Sequence, residues 1–351
     1  MSPLYPLLLQ IKSVCHSQWL FSLISRECHK RKISYPETLK QALYGQGETG
    51  SVTIKTQTMA PPIQTTTIES KSLVTFFLIA FIFTWLFWMP DALSKMGIIP
   101  ASPLTGLGFL GAFGPLIAAI TLTAIHEKKA GLVALFRRAI DHHFKKQWWF
   151  SIILLFPALV ILAFLLAVTT EGAVPSSQVF SEPWILFPAF FSVLFLSGPF
   201  EEEFGWRGYA LPRLQAKFSA LSSSLILGFI WAIWHIPQFL IPNNGMFYKT
   251  PIWTFIPTVI AATILFTWVY NNTHGSLLSM LLLHTTFNLS MFTFPVLDTN
   301  FGFLYVLGVF SIVALLVTVM FNPLEFRRNA SSNPDESGQY QHDSNLHEST
   351  T

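Results

Sequence analysis

The sequence predicts an all-α protein, a multi-pass transmembrane helix bundle of about eight spans with polar N- and C-terminal extensions. Of its 351 residues, 52% are hydrophobic and only 11% are charged, whereas about a quarter of the residues in soluble domains are charged. The mean hydropathy is +0.50. From Leu73 onward, apolar stretches long enough to cross a bilayer recur with short polar interruptions. We therefore expect an integral membrane protein surrounded by lipid.

The first 58 residues differ from the rest of the chain. Residues 1–58 mix short apolar runs with basic residues and contain no uninterrupted apolar stretch of about 20 residues. We predict that they form an extension that is disordered or results from start-codon choice, with Met59 opening the functional chain. Cys15 and Cys28 both lie in this extension. The predicted membrane domain therefore has no disulfide and no thiolate-ligated metal.

The transmembrane domain is predicted to cover residues 59–322. The eight spans expected from length and hydropathy are 73–89, 104–125, 149–168, 184–203, 221–240, 253–270, 275–291 and 302–321. Prolines inside these spans, which predict kinked helices, are Pro157, Pro188, Pro199, Pro237 and Pro257. The composition turns polar after the last span, and residues 323–351 are predicted to be a disordered tail.

Basic residues collect on one side of the predicted membrane domain. The connection between the second and third spans holds Lys128, Lys129, Arg137, Arg138, Lys145 and Lys146, whereas the connection around 171–182 holds none. By the positive-inside rule the first connection and both termini are cytoplasmic, and only Lys95 and Lys249 fall outside. The membrane would be the plasma membrane in a bacterium or the endoplasmic reticulum in a eukaryote. Because the basic residues lie in connections and the net charge is only +3, no nucleic-acid partner is indicated.

Polar residues four apart occur in three predicted spans, a spacing that places both members on one helix face. The pairs are Glu203 with Arg207, Trp231 with His235, and His284 with Asn288, and Glu202 precedes the first. A charged side chain at the centre of a membrane helix costs about 2.5–3.5 kcal/mol on insertion scales, so such residues suggest function. Each pair also has a structural interpretation: an interfacial salt bridge, a hydrogen-bonded core histidine, or hydrogen bonds between helices.

Taken together, these side chains suit peptide hydrolysis. A glutamate can accept a proton from water and a histidine can orient that water. A second histidine and an asparagine can donate hydrogen bonds to the oxyanion of a tetrahedral intermediate. Two alternatives stay open. An ion-coupled transporter could use the same residues as a proton path, although the halves of the chain show no convincing internal similarity. A non-catalytic membrane adaptor or immunity factor could keep the fold and act by binding.

The three motifs resemble those of the CPBP (Abi) intramembrane proteases, the family that includes the type II CAAX prenyl endopeptidases. Residues 202–207, Glu-Glu-Phe-Gly-Trp-Arg, resemble the EExxxR motif. Residues 231–235 resemble the FxxxH motif, with Trp231 where phenylalanine is commoner, and residues 284–288 resemble HxxxN. The similarity covers roughly 184–290, which we predict to be the protease core.

The resemblance implies an intramembrane endopeptidase. Its substrate would be a membrane protein or peptide, with or without a lipid anchor, arriving from the cytoplasmic side or from the bilayer. The implied roles are water activation by Glu202 with His235, an oxyanion site formed by His284 and Asn288, and organisation of the first motif by Glu203 and Arg207.

The only cofactor that the resemblance suggests is a metal ion. Members of the family are often called metalloproteases, and Glu202, His235 and His284 resemble a His₂Glu zinc set. The chain lacks the H-E-x-x-H helix of zincins, and a glutamate-activated water without metal is equally consistent with these residues.

One geometric condition follows from the predicted spans. Glu202 lies at the edge of the fourth span, but His235 lies about 14 residues into the fifth, or roughly 20 Å at 1.5 Å per residue. The fourth helix must therefore bend inwards at Pro199, or the fifth must begin later. If this is correct, Glu202, His235, His284 and Asn288 border one cavity.

Overall fold

The computed structural model describes residues 63–101, 103–172 and 174–326. Within these ranges the chain is helical and contains no β-strand, which confirms the predicted fold class. The predicted extension 1–58 and residues 327–351 of the predicted tail lie outside the described residues. The helices are α1 (Ile63–Lys95), α2 (Gly114–His126), α3 (Lys128–Arg137), α4 (Trp148–Glu171), α5 (Gln178–Ser181), α6 (Leu186–Leu196), α7 (Pro199–Gly205), α8 (Leu211–Gln215), α9 (Ala220–Trp234), α10 (Ile236–Phe239), α11 (Gly245–Lys249), α12 (Ile252–Asn272), α13 (Leu277–Thr293) and α14 (Gly302–Met320).

In the described part of the chain, seven helical segments are long and apolar enough to cross a membrane. They are Ser72–Lys95, Gly108–His126, Trp148–Glu171, Pro183–Gln215, Ile252–Asn272, Leu277–Asp298 and Gly302–Met320. The remaining predicted span, 221–240, differs from expectation: α9 is apolar but has only 15 residues. It ends before His235 because Pro237 has no backbone N–H to donate and restricts the residue before it. α10 then begins as a separate turn.

The segment Pro183–Gln215 is helical with a break in its middle. α6 ends at Leu196, Gly198 adopts φ 113°, and α7 begins at Pro199. Glycine suits this backbone conformation because side chains other than hydrogen are disfavoured at such positive φ values. The N–H of Gly198 donates to Glu201 Oε2 at 2.7 Å, which caps α7. The inward bend expected at Pro199 therefore occurs immediately before it, and α7 is buried inside the bundle.

The helices of the first and third motifs pack against each other, and the helix of the second motif is joined to the third through α12. α13 packs against α4, α6, α7 and α12, while α9 packs against α12. α7 lies between α2 and α13. Aromatic rings fill the interior, and large apolar side chains such as Phe187 and Val319, which are 75% and 76% exposed, cover the outer surface. An apolar exterior of this kind is what a lipid-facing bundle requires.

Candidate active site

Glu202 is the buried carboxylate at the centre of the site, only 5% exposed on α7. Its Oε2 accepts the indole N–H of Trp206 at 3.1 Å and that of Trp231 at 2.5 Å. Trp206 lies one turn further along the chain, whereas Trp231 reaches across from α9. Two donors on one oxygen fix the orientation of the carboxylate and leave Oε1 as the oxygen available for chemistry.

The break at Gly198 places its Cα beside three of the predicted site residues. A Cβ built on Gly198 would lie 2.9 Å from Glu202 Oε1, 3.3 Å from Asn288 Nδ2 and 3.4 Å from His284 Cε1. One carboxylate oxygen, one amide nitrogen and one imidazole carbon therefore surround the same small volume. No side chain projects into that volume from Gly198, because glycine has none.

The side chain of Glu203 binds one arginine and one histidine rather than facing the cavity. Its Oε1 accepts a hydrogen bond from Arg207 Nη1 at 2.8 Å and another from His284 Nδ1 at 2.7 Å. Both Glu203 and Arg207 are 0% exposed. Since Nδ1 of His284 is held by this carboxylate, Cε1 and Nε2 of the ring are turned away from Glu203, with Cε1 toward Gly198.

Arg207 is stabilised by two aromatic rings as well as by its ion pair with Glu203. Its guanidinium carbon lies 4.4 Å from the ring centroid of Trp231 and 4.2 Å from that of Phe266. Its Nε and Nη2 have no hydrogen-bond acceptor among the described residues. Contact with two aromatic faces is favourable for a desolvated guanidinium. Arg207 is the second residue of the π-helical turn Trp206–Ala210, a feature frequent at functional sites.

His235 stands at the end of α9, where the helix stops. Its Nδ1 lies 2.9 Å from the carbonyl oxygen of Trp231, and a carbonyl can only accept, so Nδ1 carries the proton and Nε2 keeps its lone pair. The ring is enclosed by aromatic neighbours, with centroid distances of 4.7 Å to Trp234 and 5.3 Å to Phe247. His235 thus presents a hydrogen-bond acceptor from an apolar wall.

Asn288 lies one turn beyond His284 on α13. Its Nδ2 donates to the carbonyl oxygen of Ser197 at 2.9 Å. This bond ties α13 to the break beside Gly198 and uses one of the two amide hydrogens. The second hydrogen remains for another acceptor.

One cavity of about 670 Å³ joins these side chains. Glu202, His235, His284 and Asn288 all line it, as the sequence predicts, whereas Glu203 and Arg207 are not among its lining residues and lie behind. Most of the remaining lining is apolar, including Phe109, Phe247, Phe255, Met246, Met291 and Phe303. The arrangement offers a carboxylate, two imidazoles and an amide to a substrate held in apolar surroundings.

Three features of the site were not found from the sequence. Trp206 was not singled out, although its position four residues after Glu202 places both on one helix face. The sequence shows Trp231 as an aromatic residue of the second motif, but it does not show that the indole N–H reaches Glu202. Asp91, which also lines the cavity, lies near the end of the first span and is far from the motifs in sequence.

The candidate zinc ligands do not form a metal-binding group in this arrangement. Across the described ranges, no three or more His, Cys, Asp or Glu side chains are placed to hold a metal ion together. One oxygen of Glu202 already accepts two indole N–H groups. The geometry therefore does not fit a His₂Glu zinc set, and no chemical step is assigned to a metal.

The fold and site define a class: a polytopic helical protein with a Glu–His–His–Asn cluster, of which Asn288 is half-buried and the other three residues are buried, lining an apolar cavity. Comparison with known proteins shows what one segment of the chain resembles. Residues 183–290, which contain all six predicted site residues, match the family model described as type II CAAX prenyl endopeptidase Rce1-like. The resemblance predicted from the three motifs is thus confirmed over this segment.

A relative with a curated name agrees with the family match. The chain is 31% identical over 147 residues to CAAX prenyl protease 2 of Methanococcus maripaludis, a region covering 40% of this chain and 54% of that protein. The chain therefore spans about half the length of the relative that it matches. Together with the seven apolar helices, the similarity supports an integral membrane protein.

Proposed function

We propose that this protein is an intramembrane endopeptidase that hydrolyses a peptide bond with water activated by Glu202. The observation that carries the proposal is the convergence of Glu202 Oε1, His284 and Asn288 around Gly198, within 3.4 Å of one point. The similarity to CAAX prenyl endopeptidases over 183–290 supports the same reaction. The substrate would be a membrane-associated peptide segment, with or without a lipid anchor.

In the first step, a water molecule next to Glu202 attacks the carbonyl carbon of the scissile bond. Its proton passes to Oε1 of Glu202, and Nε2 of His235 accepts the hydrogen bond that aligns the water. The new C–O bond makes a tetrahedral intermediate whose former carbonyl oxygen carries the negative charge.

The oxyanion would be stabilised from α13. The free amide hydrogen of Asn288 donates to it, and so does Nε2 of His284 when the ring is an imidazolium and both nitrogens are donors. Glu203 holds this ring in place because its Oε1 accepts a hydrogen bond from Nδ1 of His284. Glu203 and Arg207 are thus positioning residues that act through His284 and through the packing of Trp231.

In the second step the C–N bond breaks. Protonated Glu202 returns its proton to the departing nitrogen, so that a carboxyl and an amine product leave and the site regains its starting state. Every proton is accounted for by water and Glu202, and no serine or cysteine nucleophile takes part.

The decisive experiment compares Glu202→Gln with Glu201→Gln in purified, reconstituted protein, using fluorogenic prenylated and unprenylated peptides. Glu201 is the adjacent buried carboxylate, but it caps Gly198 and does not line the cavity, and glutamine keeps its acceptor oxygen. We expect Glu202→Gln to abolish cleavage and Glu201→Gln to retain most of it. Cleavage unchanged by Glu202→Gln would refute the assigned base, and peptide binding without cleavage in the wild type would favour the adaptor alternative.

A further inference from the structure

Arg138 lies outside the three motifs but bonds to the segments that carry two of them. It directly follows α3, in the connection that leads to α4, and its side chain is half-buried. It is not among the residues that line the cavity. The positive-inside rule accounts for a basic residue in this connection, but it does not account for the bonds that Arg138 makes.

The guanidinium of Arg138 joins two parts of the chain. On one side, Nη1 donates to the carbonyl oxygen of Gly208 at 3.0 Å and Nη2 to that of Arg207 at 3.3 Å, and both acceptors lie in the π-helical turn. On the other side, Nε donates to the carbonyl oxygen of Gly275 at 2.9 Å, just before α13, and Nη2 donates to the hydroxyl of Tyr270 at 2.7 Å. A guanidinium has five donors in a fixed planar fork, so this side chain holds both parts at once.

The main chain of Arg138 caps the helix that carries the third motif. Its carbonyl oxygen accepts the N–H groups of Leu277 and Leu278, the first two residues of α13, at 2.9 and 3.1 Å. The first four N–H groups of an α-helix have no partner within the helix, and the Ser276 side chain accepts a third one, from Ser279, at 3.1 Å. Arg138 therefore fixes the start of α13 with its main chain and the π-helical turn with its side chain.

The π-helical turn and the start of α13 also touch through apolar groups. A Cβ built on Gly208 would lie 3.3 Å from Leu277 Cδ1. Apolar contact is non-directional, whereas the hydrogen bonds of Arg138 have defined directions. Arg138 is therefore the group that fixes the position of one part relative to the other.

The position of α13 relative to the first motif matters for the proposed chemistry. His284 lies seven residues after Leu277, or about two turns of α13, and its Nδ1 lies 2.7 Å from Glu203 Oε1. Glu203 in turn lies about one turn before Arg207, which Arg138 holds. A shift of α13 would move His284 relative to Glu203, and misplacing a group by about 1 Å can lower a rate 10²-fold.

We infer that Arg138 is a positioning residue for the proposed hydrolysis. It holds the first-motif segment and α13 at the spacing that keeps His284 bonded to Glu203 and Asn288 beside Glu202. It acts through these side chains and touches no reacting atom. The inference rests on the proposed function and adds to it a residue that none of the three motifs contains.

Arg138→Lys tests the inference, with Arg137→Lys as the matched control. Lysine keeps the charge and the main-chain carbonyl but offers a single ammonium in place of the planar fork. Arg137 is adjacent and exposed, and it makes none of the four side-chain bonds. With purified, reconstituted full-length protein and a fluorogenic prenylated peptide, we expect Arg138→Lys to lower kcat about 10–100-fold and to keep KM within about twofold of wild type. Arg137→Lys should behave as the wild type.

Two further measurements separate positioning from general stabilisation. Arg213 also donates to the π-helical turn, at the carbonyl of Tyr209, and pairs with Glu127, but these bonds do not reach α13. Arg213→Lys should lower thermal stability and leave kcat near the wild-type value, and equal losses of kcat in Arg138→Lys and Arg213→Lys would overturn the inference. In the inert Glu202→Gln background, Arg138→Lys should bind the peptide with unchanged stoichiometry and Kd. A fall in stoichiometry that matches the fall in kcat would show unfolding and would also overturn it.

Hydrogen exchange gives a readout that does not depend on cleavage. Arg138→Lys should speed amide exchange in the π-helical turn and in the first turn of α13, whereas Arg137→Lys should not. If exchange changes in this way but the wild type cleaves no peptide, the bridge is supported and the proposed function fails instead. If the wild type cleaves and Arg138→Lys keeps its kcat, the inference is wrong. Should Arg138→Lys not fold, Tyr270→Phe removes one acceptor and keeps the ring; a smaller fall in kcat is then expected, and an unchanged kcat overturns the inference.

Discussion

Trp231 donates its indole N–H to Glu202 Oε2 over 2.5 Å, although the two residues lie on different helices. The same indole stacks on the guanidinium of Arg207. Trp231 therefore contacts both Glu202 and Arg207 of the first motif. Its bond to Glu202 uses an N–H group that phenylalanine, the commoner residue at this motif position, does not possess. The contact makes the orientation of the proposed base depend on a neighbour in another motif.

The first prediction concerns the indole N–H that Trp231 donates to Glu202. Trp231→Phe keeps the ring but removes the N–H, and a hydrogen bond to a charged group contributes about 1.5–3 kcal/mol. We expect kcat to fall about tenfold with little change in KM, because the base is misoriented while the apolar cavity is retained. Steady-state kinetics on a fluorogenic peptide would measure this.

Trp268→Phe is the matched control for Trp231→Phe. The indole N–H of Trp268 is buried and has no hydrogen-bond partner in the described part of the chain, so its removal should leave kcat unchanged. Equal losses in the two variants would show that Trp231 matters only for packing.

The sequence predicts the helix bundle, and it predicts that Glu202, His235, His284 and Asn288 border one cavity, because both depend on composition and on the helical spacing of side chains. It predicts the breaks less well. Hydropathy averages over a window, so the interruptions at Gly198 and His235 stay inside predicted spans 184–203 and 221–240. Both interruptions carry or border site residues.

The indole donors escaped prediction for a related reason. Hydropathy treats tryptophan as apolar, and whether its N–H reaches a carboxylate depends on how two helices pack. The spacing of Trp206 from Glu202 could have suggested the local bond, but the bond from Trp231 requires knowledge of how α9 is placed relative to α7.

The second prediction concerns Gly198. Gly198→Ala should add a methyl group 2.9 Å from Glu202 Oε1 and force a side chain into a backbone conformation with φ 113°. We expect hydrolysis to fall at least tenfold. Because the backbone strain itself costs about 1–2 kcal/mol, thermal unfolding must be measured beside activity.

Gly172→Ala separates the effect of backbone strain from the effect of a methyl group next to Glu202. Gly172 also has a positive φ, 70°, but a Cβ there meets nothing within 4 Å. This variant should lose stability through backbone strain alone, without losing activity. If both variants lose activity in proportion to stability, the methyl group at Gly198 does not act on the site.

The third prediction concerns the buried ion pair. Arg207→Met leaves the carboxylate of Glu203 in a fully buried position without its arginine, and breaking a buried pair in this way costs about 3–5 kcal/mol. Glu203→Gln combined with Arg207→Met removes both charges and should be closer to wild type in stability than Arg207→Met alone. Denaturant unfolding of the four proteins in a double-mutant cycle gives the coupling between the residues. Additive effects would show that Glu203 and Arg207 do not stabilise each other.

The fourth prediction concerns Asn288, which we place in the oxyanion site. Asn288→Ala removes both the bond to the carbonyl of Ser197 and the donor proposed for the intermediate, and loss of one such donor lowers kcat about 10²–10³-fold. Asn272→Ala is the control, because Asn272 also donates to backbone carbonyls, those of Trp268 and Phe326, but does not line the cavity. We expect Asn272→Ala to affect unfolding and leave kcat within about twofold. Since a lost oxyanion donor weakens the transition state more than the ground state, KM in Asn288→Ala should stay near the wild-type value, and a rise in KM with constant kcat would instead assign Asn288 to substrate binding.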